Sequence, residues 1–150
     1  MYTLLRKHIL TRLVPTLMGL VVAGCSLDKL NPNLEPETGT GNIYTLVGIN
    51  ASTVPVVIVQ GQTTLEVKKG ALTLAADSTW ILSYVVRQTN GGGESHSIQT
   101  SRGNYGLRGA VITMRLATDT VTRFSGAYSL TDVSVRDISQ PSGDLLIFKR

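Results

Sequence analysis

The sequence predicts an all-β fold, a sandwich or barrel of roughly eight to ten strands, and three observations carry that expectation. After Gly41, short runs rich in Val, Ile, Leu, Thr and Tyr alternate with turn residues to the C-terminus. The longest run, Thr79 to Gln88, sets Trp80, Leu82, Tyr84 and Val86 on one face and Ile81, Ser83, Val85 and Arg87 on the other. Successive side chains of a strand point to opposite faces, so the aromatic set is expected inside and Arg87 at a wet edge or outer face. No convincing amphipathic helical period interrupts this cadence, and no repeat of fixed period stands out.

In chain order, strands are expected near 43–49, 56–60, 63–68, 71–75, 79–88, 97–101, 104–108, 110–117, 121–129, 132–136 and 144–149, with adjacent short runs merging into single strands. The separating turn signals are Asn50 to Pro55, Gly61, Lys69-Gly70, Asp77-Ser78, Asn90 to Gly93, Gly103-Asn104, Arg108-Gly109, Asp119 and Gln140 to Gly143. Ile112, Met114 and Leu116 share a face opposite Thr113 and Arg115, and Phe124 shares parity with Tyr128. Leu145-Leu146-Ile147-Phe148 is apolar on both faces, as suits a central or closing strand.

Ahead of this domain the composition changes twice. Arg6, Lys7 and Arg12 precede an apolar block from Leu13 to Val22, which ends in small residues. That is the three-part layout of a secretory signal. The block is too short to cross a bilayer core, which needs about 20 helical residues. From Ser26 to Gly41 the chain reads SLDKLNPNLEPETGTG, without an apolar period, and is expected to be a flexible linker, part of which can pack on the domain. The organisation is thus 1–24 signal, 25–41 modified cysteine and linker, and 42–150 β-barrel domain.

Val22-Ala23-Gly24-Cys25 resembles the lipobox of bacterial lipoproteins: an aliphatic residue, two small ones and the cysteine to be modified. The resemblance implies a diacylglycerol on the Cys25 thiol, cleavage between Gly24 and Cys25, and acylation of the new amine with fatty acids such as palmitate. Two or three chains anchor firmly, because each buried methylene contributes about 0.8 kcal/mol. Ser26, in place of the aspartate that retains such lipoproteins at the inner membrane, favours the outer membrane of the cell envelope if the cell has one.

A second resemblance spans about residues 42–150. Tyr44-Thr-Leu-Val-Gly-Ile-Asn50 with Pro55, Gly70-Ala-Leu-Thr-Leu-Ala-Ala-Asp-Ser-Thr-Trp80, Gly103-Asn-Tyr-Gly-Leu-Arg-Gly109 and Leu146-Ile-Phe-Lys-Arg150 look like small bacterial lipocalin-like domains. It implies a closed or nearly closed up-and-down antiparallel barrel, often found behind a lipobox. The Gly-x-Trp motif near the N-terminus of lipocalins proper is absent; Trp80 lies mid-chain.

Composition narrows the function. The pI of about 9.5 owes much to Arg6, Lys7 and Arg12, because fourteen basic side chains face ten acidic ones in the whole chain. After Gly24 the balance is near neutral and only Lys68-Lys69 and Lys149-Arg150 are adjacent, so no stripe for nucleic acid appears. Cys25 is the sole cysteine, which leaves no disulfide, thiolate metal site or cysteine nucleophile once it is acylated. His96 sits in Asn90-Gly-Gly-Gly-Glu-Ser-His96, expected as a solvated hairpin tip, where Glu94, Ser95 and His96 do not point together as a triad. Dispersed carboxylates make no calcium loop and no other metal cluster, and no cofactor is called for. Trp80, Tyr84, Phe124 and Tyr128 are the candidate ligand-binding residues, and filling the core is their alternative role. The expected function is non-enzymatic: a lipid-anchored envelope module that binds a small apolar ligand or a partner protein. The alternative is a structural or inhibitory envelope lipoprotein with no ligand cavity.

Overall fold

The computed structural model describes residues 33–139, 141 and 143–150. The signal (1–24), its lipobox, Gly24 and Cys25 at the cleavage site, and Ser26 lie outside the described residues. The apolar runs form β1 (Asn42–Ile49), β2 (Ser52–Thr53), β3 (Val56–Gln60), β4 (Thr63–Leu74), β5 (Thr79–Asn90), β6 (Gly93–Arg108), β7 (Val111–Leu116), β8 (Phe124–Tyr128), β9 (Asp132–Asp137) and β10 (Leu145–Lys149). Eight of these close a ring: β1 pairs with β10, the wall runs through β9, β8, β7, β6 and β5 to β4, and β4 returns to β1. All pairings are antiparallel. The expected small up-and-down antiparallel barrel is therefore the fold observed. β2 and β3 stand outside the ring, β2 on the end of β1 and β3 along the first half of β4.

Two expected turns are not turns. Lys69-Gly70 lies inside β4, and Gly103-Asn104 lies inside β6. Both are sites where a side chain has no room, a second reason for a glycine in a strand. A Cβ on Gly103 would sit 1.9 Å from the Arg115 carbonyl oxygen and 2.9 Å from Trp80 Nε1. The missing side chain thus admits the indole, whose N–H donates to the carbonyls of Asn104 and Arg115 at 3.1 Å each. Sharing the single N–H between two carbonyls removes the desolvation cost that a buried indole would otherwise carry.

Trp80, 1% exposed, packs edge-on against Phe124, with ring centroids 6.0 Å apart and planes at 90°. Around them lie Leu82, Tyr84, Ile112, Met114, Val133, Val135 and Phe148, all buried. The parity expected for β5 and β7 holds on this inner face. β10 joins β9 to β1, and its Leu146 and Phe148 point into the core.

The outer face of β5 is less exposed than alternation alone predicts, since Ser83 and Val85 are also buried. For Ser83 the cause is residues 33–41, the described part of the linker, which form a strap across β4, β5 and β6. Glu37 N–H donates to Ser83 Oγ (2.8 Å) and Gly39 N–H to Thr73 Oγ1 (3.3 Å). Glu35 pairs with Lys69, and Glu37 with Arg102. Exposed pairs of this kind contribute about 0–1 kcal/mol each, so the strap is a low-stability element on a stable wall.

Trp80→Ala is expected to cost about 3–5 kcal/mol in chemical denaturation, a large part of a small domain's stability. In the native protein the indole should be shielded from a water-soluble quencher. Free quenching, or a loss below about 1 kcal/mol, would contradict the packed core.

Candidate functional site

Among the described residues, the barrel wall parts between β1 and β4. β1 and β4 pair only from Asn42–Leu74 to Thr45–Ala71. Just beyond, each strand carries a one-residue bulge against its other neighbour. Leu46 faces Phe148 and Gly48 faces Ile147, which leaves Val47 extra; Val67 faces Val86 and Lys69 faces Val85, which leaves Lys68 extra. A bulge bends its strand and re-aims a side chain. Two bulges at the same level of one seam splay β1 toward β2 and β4 toward β3.

The divergence opens a groove of about 690 Å³. Ile43, Thr45 and Val47 line it from β1, Val54 from the following loop, Lys68, Lys69 and Ala71 from β4, and Glu35, Pro36 and Thr38 from the strap. Leu46 and Gly70 form the floor. A Cβ on Gly70 would lie 2.9 Å from Leu46 Cδ2 and 3.0 Å from Tyr84 Cδ1, so the floor is a tight contact that separates groove from core. Lys69 is held by Glu35, whereas Lys68 forms no ion pair among the described residues. The arrangement joins an apolar surface to one uncommitted cation, which suits an amphipathic molecule with an anionic end.

Both mouths of the barrel are occupied by polar side chains. At one, Tyr105 Oη donates to the Ala75 carbonyl (2.8 Å), and Tyr128 packs against the core. The Tyr44 hydroxyl there is buried without a hydrogen-bond partner among the described residues. Burial, then a hydrogen-bond-like contact with the Tyr128 phenol that falls short of regular hydrogen-bond geometry, pushes its pKa up to about 12; burial raises that of Tyr105 as well. At the other mouth Arg123 pairs with Asp137 (2.9 Å), which also accepts from Ser139 N–H and Oγ at 2.9 and 2.7 Å. Asn50 Nδ2 donates to Asp144 (2.8 Å), and Asn50 Oδ1 accepts Leu145 N–H (2.9 Å). Burial, then the charges of Asp144 and Asp137, raises the Tyr84 phenol above its ordinary range.

Of the four aromatic candidates, Trp80, Tyr84 and Phe124 are buried in the core and Tyr128 is half-buried against it; none lines the groove. His96 requires a correction. It is not a solvated loop residue but a buried one (6% exposed) inside β6, opposite Arg87. β5 and β6 continue their pairing to Asn90–Gly93, so the glycine tip is shorter than composition indicates. His96 Nε2 contacts Glu94 Oε1 at 2.8 Å, and Arg87 spans Glu66 (2.6 Å) and Glu94 (3.6 Å). Ser95 lies on the opposite face of the strand from both, so no triad forms. Among the described residues no group of three or more His, Cys, Asp or Glu is placed to hold a metal ion.

The groove was not anticipated from the sequence. Its signal was Lys69-Gly70, a strand-breaking pair inside an apolar run, which marks a bulge here rather than a turn. No protein-family model, curated protein or solved structure matches the chain. The functional reading accordingly rests on the residues themselves.

Tyr44 yields a test in alkali. Its pKa is raised in the folded state, from the ordinary 10.0 to about 12, so its neutral form is favoured there. The associated stability is fully present below pH 10 and is lost as pH rises through about 12. Tyr44→Phe should flatten that part of the stability profile and leave stability at pH 7 equal or higher, since it removes an unpartnered buried hydroxyl. Denaturation midpoints at pH 7, 10 and 11.5 measure both; a steeper alkaline loss in the variant would refute the assignment.

Proposed function

We propose that the chain is a lipid-anchored envelope lipoprotein that acts by binding rather than catalysis, with the barrel as a rigid platform and the flank groove as its ligand site. The observation that supports this most is the pair of opposed bulges, which opens an apolar groove beside an uncommitted lysine in an otherwise packed barrel. The ligand class is a small amphiphile, its apolar part on Ile43, Val47 and Val54 and its anionic end at Lys68. The anchor rests on Val22-Ala23-Gly24-Cys25, with the outer membrane favoured by Ser26 where the cell has one. A second reading, a structural or inhibitory lipoprotein that acts on an envelope protein through its surface, is favoured by the core that Trp80 and Phe124 fill.

Two measurements test these parts separately. Cys25→Ala should abolish labelling by radioactive palmitate and leave an uncleaved precursor; label retained on the variant would sink the anchor. For the groove, the probe is a fluorescent long-chain fatty acid compared with its methyl ester. The acid should bind the wild type more tightly, and Lys68→Glu should weaken it by about 5- to 30-fold, equivalent to about 1–2 kcal/mol for one partly screened charge reversed. Equal binding by Lys68→Glu and wild type, or none by either, would remove the groove as the site and favour the second reading.

A further inference from the structure

β3 is one end of the sheet order, and among the described residues it pairs only with β4. Its register identifies which backbone groups are left over. Gln60 faces Thr63 across the two-residue loop Gly61-Gln62, where Gly61 has φ 60. In such a hairpin the flanking pair exchanges hydrogen bonds, and so do the alternate pairs Ile58–Leu65 and Val56–Val67. The N–H and C=O of Val57 and Val59 therefore point away from β4, along the open edge. Their side chains are 56% and 65% exposed on the outer face.

Edge strands are normally guarded by charge, proline, a bulge or a cover. Val56-Val-Ile-Val-Gln60 has no charged residue, no proline and no register shift against β4; Pro55 guards only its entrance. Of the charges beside it, Glu66, opposite Val57, is paired with Arg87, which also reaches Glu94, and Lys68 lies at the Val56 end of the strand. No residue of β3 itself carries a charge that would repel an identical edge.

We infer that β3 is an association edge for a second copy of this chain, paired antiparallel about a two-fold axis at Ile58. The sequence is self-complementary in that register. Val57 faces Val59 of the copy and Val59 faces its Val57, so all the unpaired N–H and C=O groups of these residues find partners. β-branched side chains meet across the pair, the favourable cross-strand combination. Ile58, half-buried and packed on the core, meets its own counterpart on the inner side. A strand pair this short buries less than a stable dimer needs, so association in solution is weak and concentration-dependent. Tethering both copies to one membrane raises their effective concentration. The pairing itself does not depend on that tether.

The test exploits the register. Full-length chains carrying Val57→Cys and Val59→Cys are purified separately, and the unaltered chain, whose sole thiol is Cys25, serves as control. Mild oxidation of the mixture should give a disulfide-linked dimer at least several-fold above either variant alone. Paired residues lie within disulfide reach across a strand pair, whereas the diagonal 57–57 and 59–59 separations exceed it. Adding Val57→Lys and Val59→Lys to a chain should abolish its association in sedimentation, with the Trp80 emission unchanged to show that the barrel is intact. Equal cross-linking in the single-variant samples, no cross-link in the mixture, or a monomer that pairs its edge only with a different protein would each overturn the inference.

Discussion

Closure of the ring depends on four residue pairs, Asn42–Leu74 to Thr45–Ala71. Apart from the β1–β10 pairing, which joins the two ends of the domain, the other strands of the ring follow one another in sequence, so local hairpins bring them together. The β1–β4 seam must instead join strands separated by the β2–β3 excursion, and it satisfies the backbone groups that an open sheet would expose. Without it, β1 and the second half of β4 would be open edges. The core would then lose the side that Tyr44, Leu46 and Leu72 close.

The same seam accounts for the two surface features with functional consequence. Its pairing stops where Val47 and Lys68 bulge, and the gap beyond is the flank groove. What β4 no longer offers to β1 it offers to β3, and β3 ends the sheet with an unguarded edge. The groove and the edge are thus two results of one geometric event, the divergence of β1 from β4. Gly70 permits it: with no side chain there, Leu46 and Tyr84 approach closely and seal the core beneath the parting strands.

The strap changes how the outer wall is read. Glu35 and Glu37 hold exposed cations while backbone N–H groups of Glu37 and Gly39 bond Ser83 and Thr73, so the chain leading into the barrel forms one bank of the groove. These contacts are individually weak and lie on the surface. Movement of the strap therefore costs little compared with disturbance of the core and would widen the groove.

Much of the architecture was legible in the residues. Alternation over 79–88 placed Trp80, Leu82, Tyr84 and Val86 inside, because a strand's two-residue period leaves no other way to bury them together. Turn chemistry located β3 and its hairpin to the residue, and the doubly apolar 145–148 marked the strand that links β9 to β1. Three features were decided only by the tertiary structure. A glycine beside a polar residue ends a strand or continues it with the same local preference, and only the approach of Leu46 and Tyr84 at Gly70, or of Arg115 and Trp80 at Gly103, selects between them. His96 is buried because long-range pairing extends β5 and β6 past the point where composition turns polar. The groove draws its walls from the strap, β1, the loop at Val54 and β4. Only the closed ring brings these four segments together, because local preference acts over a few residues and the β1–β4 seam joins residues about thirty apart.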